Sequence, residues 1–546
     1  MTTAPATARR IGGHLVAESL AALGAEVAFG VPGIHALAIW EALRTSPITV
    51  YGNRTELSAG FAADGYARST GRPAPLLLST GPGALNALTA IMEAASAHVP
   101  VVAISSQIPS DLVGRGRGYL HELPDQMASF APLVKHVTRT PSAEAIPGLL
   151  ARAWEVALTP PSGPVYVEIP VDLLTAPVSA GPVTELAISP ARPAPPRQAL
   201  AAAAAMLRDA ERPVLWAGGG VVRSGAQAEV RGLAELLQAP VATTYMGKGV
   251  LPDDHPLAAG CGCDEAALQE LLSGADVVLA VGTELGAETT AQYALTFGGT
   301  LIHLDAAPER IGATYPALAL VGDARVTLQA LQAWLGALSP GTPPAAASDR
   351  VTEVRARIDA GLHAQERDTE LGVLATIEAA LAGDAITAWD MTILGYWAAP
   401  HLRLHAGQQF LYPLGSGTLG YAWPAALGAS IGHPGRQVLA VVGDGGVQYA
   451  LAELGTAAQH GLEATLLIVD DGAYGILAEY QRDAYGITTA VALPGKDLAA
   501  VAAAFGLPVR TATPGDLAQQ LRWALDTPGP AVVVLRCTLT AAQPTS

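Results

Sequence analysis

Short apolar runs that end in small residues and then pass into a helical pattern recur along the whole chain. Leu76-Leu77-Leu78 runs into Ser79-Thr80-Gly81-Pro82-Gly83, then a helical stretch over about 84–97 and the apolar run Val101–Ile104. Pro213–Trp216 leads to Gly218-Gly219-Gly220, Val277–Val281 to Gly282-Thr283, and Val438–Val441 to Gly443-Asp444-Gly445-Gly446. A strand with no polar alternation needs cover on both faces, and helices inserted between parallel strands supply it. The expectation is an α/β chain. Ligands of such sheets bind beyond the carboxyl ends of the strands, so the small-residue turns are where function belongs.

Two proline-rich, low-charge stretches, about 176–198 and 338–350, read as linkers. They predict three doubly wound parallel-sheet domains, over 1–175, 190–337 and 351–546, a sensible number for 546 residues. Half the residues are apolar and the net charge is -17. A negative field repels polyanions, so nucleic acid and anionic membrane are poor partners and a small molecule is favoured. No apolar run is long enough to span a membrane, and MTTAPATARR lacks the apolar core of a signal peptide. Cys261-Gly262-Cys263 is too tightly spaced for the usual redox or zinc pair, and Cys537 stands alone. Ordinary thiols and a cytoplasmic location are expected.

Two turns carry the most chemistry. Gly443-Asp444-Gly445-Gly446 and Asp471-Gly472-Ala473-Tyr474-Gly475 each follow an apolar run. Oxygen ligands from Asp444 and Asp471, with the Ala473 carbonyl as a third, suit Mg²⁺. The glycines let backbone N–H groups approach a diphosphate. A Gly-Asp-Gly alone reads as well as a βα turn with a capping aspartate. The second turn shifts the balance toward a cation and diphosphate site.

With these turns in place the chain resembles the thiamine-diphosphate-dependent 2-oxo acid decarboxylase and acetolactate synthase superfamily. Asp470-Asp471 stands where that family carries an Asn-Asn-like pair, so Asp471 replaces the usual amide ligand. Phe29-Gly30-Val31-Pro32-Gly33, Arg54-Thr55-Glu56, Ala62–Arg68 and Ser79-Thr80-Gly81-Pro82-Gly83 are similar to its pyrimidine-binding domain. The resemblance implies pyrimidine-binding, central and diphosphate-binding domains in that order. It makes Glu56 the cofactor-activating acid, a buried carboxyl of raised pKa sharing a proton with the aminopyrimidine. Gly33 and Pro82 would line the pyrimidine side. Gly415–Tyr421 is similar to the segment that bends the cofactor, with Leu419 between its rings and the Gly417 carbonyl as acceptor. Asp390-Met391-Thr392 resembles a further diphosphate-side segment.

For substrate, His121 takes the place of a family glutamine, and His35 and Gln107 are further candidates. A histidine can protonate a developing alkoxide or bind a carboxylate. Acetohydroxyacid synthases hold FAD in the central domain. The triglycine here lacks the full GxGxxG pattern, so FAD or ADP is not the expectation. The family pattern implies a homodimer or homotetramer with active sites at the subunit interface. The implied reaction is non-oxidative decarboxylation of a 2-oxo acid larger than pyruvate, through an enamine; the overall pattern resembles most closely 5-guanidino-2-oxopentanoate decarboxylases and acetolactate synthase large-subunit-like proteins. Acetolactate synthase or another carboligase is the alternative, and a non-catalytic cofactor-binding protein is more distant.

Overall fold

The computed structural model describes residues 10–179, 181–337 and 347–545. It contains three sheets, each of six strands. The first holds β1 (Val27–Gly30), β2 (Thr49–Gly52), β3 (Ala74–Leu78), β4 (Val101–Gln107), β5 (Val137–Arg139) and β6 (Val165–Pro170), in the order β2-β1-β3-β4-β6-β5. The second holds β7 (Pro213–Ala217), β8 (Val241–Thr243), β9 (Ala258–Cys261), β10 (Val277–Val281), β11 (Thr300–Asp305) and β12 (Leu318–Val321), in the order β12-β11-β10-β7-β8-β9. The third holds β13 (Ile386–Trp389), β14 (Gln409–Leu411), β15 (Val438–Gly443), β16 (Thr465–Asp470), β17 (Val509–Ala512) and β18 (Ala531–Arg536), in the order β14-β13-β15-β16-β18-β17. Every strand pair is parallel. The α/β expectation holds, and the apolar runs are the inner strands.

The strand orders carry information that the sequence pattern does not. Counted from its own first strand, the third sheet repeats the order of the first, so the two have one topology. The second sheet has the winding of dinucleotide-binding domains, reversing between β7 and β10. The glycines at that reversal pack on the chain itself. Gly218 N–H donates to the Val281 carbonyl at 2.8 Å and Gly220 N–H to the Gly282 carbonyl at 2.9 Å. Two donors that would face a nucleotide diphosphate are therefore spent internally.

The chain divides into two compact units. One takes residues up to Pro190 together with Gly415–Pro434 and Ala450–Leu462, and is built on the first sheet. The other takes Ala191–Leu414, Gly435–Tyr449 and the chain from Glu463, and carries the second and third sheets. Of the second expected linker, 338–346 lies outside the described residues. Residues 347–350 instead open the helix Ala347–Ala364, whose Val351 and Val354 pack in the core of the second sheet.

In the first unit the helix Glu56–Thr70 lies against the helix Ala422–Gly432 with almost no gap. A Cβ on Gly65 would stand 2.1 Å from the Ala425 carbonyl oxygen, and one on Gly428 would stand 1.9 Å from that of Ala62. Backbone cannot yield as a side-chain tip can. Gly428→Val is expected to destabilise this unit by about 3 kcal/mol, seen as an earlier first transition on urea unfolding.

Candidate active site

The third sheet reverses its winding between β13 and β15, and the crevice beyond such a pair is the ligand site of doubly wound sheets. Asp390 and Thr392 follow β13; Asp444 follows β15. The turns are in contact: a Cβ on Gly443 would stand 2.9 Å from the Thr392 hydroxyl. Asp444, buried, opens a short helix containing Gly445 and Gly446, and a Cβ on Gly445 would meet the Tyr474 ring at 2.5 Å. The adjacent β16 delivers Asp471, whose Oδ1 accepts the Ala473 N–H at 3.0 Å. A Cβ on Gly475 would fall 2.3 Å from Asp471 Oδ2, so only glycine leaves that oxygen its place. The residues expected on the diphosphate side thus share one sheet edge.

The electrostatics there are strained. Burial and the hydrogen-bonded Asp444 carboxylate push the Asp471 carboxyl up to about 7. The Lys496 ammonium pairs with Asp444 and lies 3.5 Å from Asp470 Oδ1. Its loop is drawn in by a short antiparallel bridge between Ala473 and Ala492, and Lys496 Nζ donates to the Leu493 carbonyl at 2.7 Å. Two crowded carboxylates answered by one ammonium form a donor set that a small hard cation fits. Among the described residues no three His, Cys, Asp or Glu side chains cluster as a metal site. Two aspartates and the Ala473 carbonyl would leave the other octahedral positions to phosphate oxygens and water.

The first sheet reverses between β1 and β3. Gly33 follows β1 and packs on the turn after β3, where a Cβ on Gly33 would lie 2.3 Å from Ser79 Oγ. Gly81 takes a φ of 66°, which glycine tolerates, and donates its N–H to Gln126 Oε1 at 2.6 Å. Pro82 starts the helix Pro82–Asn86 at the position that its missing N–H suits. Glu56 is the first residue of the helix Glu56–Thr70, fixed there by Thr55, whose hydroxyl accepts the Ser58 N–H at 3.1 Å. Asn86 Nδ2 donates to Glu56 Oε2 at 3.2 Å. Within the chain Glu56 is half-buried, where a buried acid is expected, because Asn86 and Gly83 cover one side of its carboxyl.

The structure brings His35 and His121 together, with ring centroids 5.3 Å apart, and Tyr119 lies 5.8 Å from His35. The Nδ1 atom of each is buried without a hydrogen-bond partner. Burial, and then His121, hold the His35 imidazole below its usual pKa. His121 adopts a φ of 67°, and its carbonyl presses on Gly81. Gln107 is placed differently: it is buried at the end of β4, and its Oε1 accepts the N–H of Ile108 at 2.7 Å. Gly417 is exposed and Leu419 half-buried. Their turn is tied to Glu93, whose carboxylate accepts from Ser416 N–H at 2.7 Å and Oγ–H at 2.8 Å and from Arg68 at 2.7 Å.

Glu453 was not distinguishable in the sequence. It is fully buried and accepts from Asn53 Nδ2 at 3.1 Å, from the N–H of Arg54 at 2.8 Å and of Thr55 at 3.3 Å, and from Thr456 Oγ1 at 2.6 Å. It therefore holds the turn that presents Glu56. A lone glutamate at a helix start carries no such signal, because its donors Asn53, Arg54 and Thr55 lie some four hundred positions away. Glu453→Ala is expected to cost about 3 kcal/mol through the donors it strands. Glu453→Gln should cost less, and thermal melts of both variants check the order.

Comparison with known proteins gives the family. Models for the thiamine pyrophosphate enzyme N-terminal TPP-binding, central and C-terminal TPP-binding domains match residues 10–129, 200–331 and 390–535. The chain belongs to the thiamine pyrophosphate enzymes. It is 41% identical over 458 residues, 84% of this chain and 81% of the relative, to a probable 2-ketoarginine decarboxylase of Pseudomonas aeruginosa. It is 30% identical over 536 residues to a probable acetolactate synthase large subunit of Methanocaldococcus jannaschii, covering 94% of this chain and 90% of that one. It is also 30% identical over 540 residues to the acetolactate synthase isozyme 1 large subunit of Escherichia coli, covering 97% and 94%. In this family the chain is a thiamine-pyrophosphate-dependent lyase or transferase. No helix among the described residues is long and apolar enough to cross a membrane.

Proposed function

We propose that the protein decarboxylates a 2-oxo acid larger than pyruvate without oxidation, using thiamine diphosphate and Mg²⁺. The histidine pair carries this reading: two imidazoles with unpartnered Nδ1 atoms adjoin the turn after β3, against which Glu56 also lies. The 41% relative, named as a probable 2-ketoarginine decarboxylase, supports it. The bound cofactor supplies a carbon nucleophile and an electron sink for the departing CO₂.

The chain's own residues then divide the work. Asp444, Asp471 and the Ala473 carbonyl would hold Mg²⁺. Asp390, Thr392, Gly443, Gly445, Gly446, Tyr474 and Gly475 shape the diphosphate crevice. Gly33 and Pro82 would line the pyrimidine side, and Gly417 and Leu419 would lie against the cofactor rings, with the Gly417 carbonyl as acceptor. Glu56 would be the acid that shares a proton with the aminopyrimidine. His121 and His35 orient the substrate carboxylate and hand a proton to the product-forming carbon. In this reading Glu56 serves a cofactor held by a second copy, so the working form is at least a homodimer.

The test is a substrate panel. The purified protein, supplied with both cofactors, is expected to release CO₂ from long-chain 2-oxo acids faster than from pyruvate and to return the aldehyde. Rapid acetolactate formation from pyruvate would overturn the reading in favour of a carboligase.

A further inference from the structure

One buried amide ties the loop of His121 to the turn after β3. Gln126 opens the helix Gln126–Phe130, at the end of the loop that carries Tyr119 and His121, and is fully buried. Its Oε1 accepts the Gly81 N–H at 2.6 Å. The other end of the amide is equally committed. Nε2 donates to the Tyr166 hydroxyl at 2.7 Å and to the Ser106 carbonyl at 3.2 Å, with Ser105 Oγ and Glu168 Oε2 each at 3.3 Å. A backbone N–H only donates and a carbonyl only accepts, so the two ends of this amide cannot be exchanged.

The turn held in this way touches every group assigned to the chemistry of the first sheet. A Cβ on Gly81 would lie 2.5 Å from the His121 carbonyl oxygen, so one loop grips the turn twice, by the backbone of His121 and the side chain of Gln126. A Cβ on Gly83 would lie 3.0 Å from Glu56 Oε1. Gly33, just before the turn of His35, packs on Ser79 of the same turn. From β4, Ser106 Oγ accepts the Thr80 N–H at 3.0 Å. Behind Gln126 the Tyr166 ring stacks on Phe130 with centroids 3.9 Å apart, and the buried Glu168 pairs with Arg139. A buried network with its groups satisfied resists displacement, because each broken bond strands a desolvated partner.

We propose that Gln126 is a positioning residue of the decarboxylation: its amide clamps the turn after β3 to the loop of His121 and so sets the spacing between the substrate histidines and the pyrimidine side of the site. The proposal rests on the 2-oxo acid decarboxylase reading. An error of about 1 Å in such a spacing can cost about a hundredfold in rate.

The fixed orientation of the amide gives the clamp a pH signature once glutamate replaces it. A protonated carboxyl at this position can accept from Gly81 and donate to the Ser106 carbonyl, as the amide does. The ionised form would turn an acceptor toward that carbonyl and toward the Glu168 carboxylate. The groups that face the position are Glu168 and Tyr166 from β6, with Arg139 of β5 bound to Glu168, and the uncharged Ser105 and Ser106 of β4. Asp125, its neighbour in the chain, is turned to the Ala128 N–H. Burial and the Glu168 charge both favour the protonated form, so the variant's pKa lies above that of a free glutamate. Its function is present below that pKa and lost as the pH rises through it.

The test uses the full-length protein with thiamine diphosphate, Mg²⁺ and whichever 2-oxo acid of the substrate panel turns over fastest. Gln126→Met fills the space without polar atoms, and its kcat should fall about tenfold to a hundredfold with KM changed less than about threefold. Gln126→Glu should show a similar loss at about pH 9 and regain most of the native rate at about pH 6, each taken as a ratio to the native enzyme at that pH. Hydrogen–deuterium exchange of the peptide holding Gly81 reads the clamp without turnover. Relative to the native protein it should quicken in Gln126→Met at both pH values, and in Gln126→Glu only at the higher one. Thermal melts above the assay temperature show that the variants are folded. A native kcat in Gln126→Met, or a Gln126→Glu ratio that does not rise as the pH falls, overturns the positioning role. If the native enzyme releases no CO₂ from any acid of the panel while exchange follows the expected pattern, the decarboxylase reading fails and the clamp on Gly81 is kept.

Discussion

Glu56→Gln is expected to lower kcat/KM for CO₂ release about a thousandfold while the cofactor still binds. Glutamine keeps the size of the side chain and can still take part in the contact with Asn86, but it cannot carry the proton that the proposed role requires Glu56 to share with the aminopyrimidine. The helix should be undisturbed, because Thr55 caps it and Glu453 holds the preceding turn. Two measurements separate chemistry from folding. Calorimetric binding of thiamine diphosphate should change little, whereas hydrogen–deuterium exchange at the thiazolium carbon of the bound cofactor should slow in step with turnover. Carbon–carbon chemistry surviving at the native rate would remove Glu56 from the role assigned to it.

Asp444→Ala is expected to weaken binding of thiamine diphosphate with Mg²⁺ on the order of a hundredfold. It removes one of the two aspartates proposed to hold the cation and the main partner of Lys496 at once. Asp471→Asn should behave differently. It keeps an oxygen donor and removes the crowding that raises the Asp471 carboxyl to about 7. Titration of the two variants with Mg²⁺ at fixed cofactor, read by calorimetry, distinguishes them. Equal losses would mean that the Asp471 charge, and not only its oxygen, is required.

Much of this arrangement was legible in the residues, for a physical reason. Strands covered on both faces must be apolar throughout, so β3, β10 and β15 stand out as runs. A chain that turns sharply onto a ligand must use glycine, so Gly81, Gly443 and Gly445 mark the turns. Asp444 and Asp471 were found because they immediately follow such runs. The histidines were named without their relation to each other, since His35 and His121 come from separate loops and only the packing around Gly81 brings their rings together. Glu453, Glu93 and Lys496 were missed. Their partners are remote in sequence, and an isolated Glu or Lys has the composition of any solvated surface position.

The sequence by itself determined the α/β class, the recurring strand–turn–helix unit and the two aspartate turns, because these depend on local spacing and on burial that each segment must satisfy. Only the tertiary structure decided the strand orders. It alone showed that the first and third sheets share one winding, and that the candidate turns of both flank a reversal point. It also decided which charges answer one another: Lys496 on Asp444, and Glu453 on the turn before Glu56. Local periodicity specifies an element, but the pairing of elements and of distant charges is settled by long-range packing, which leaves no spacing in the chain to read.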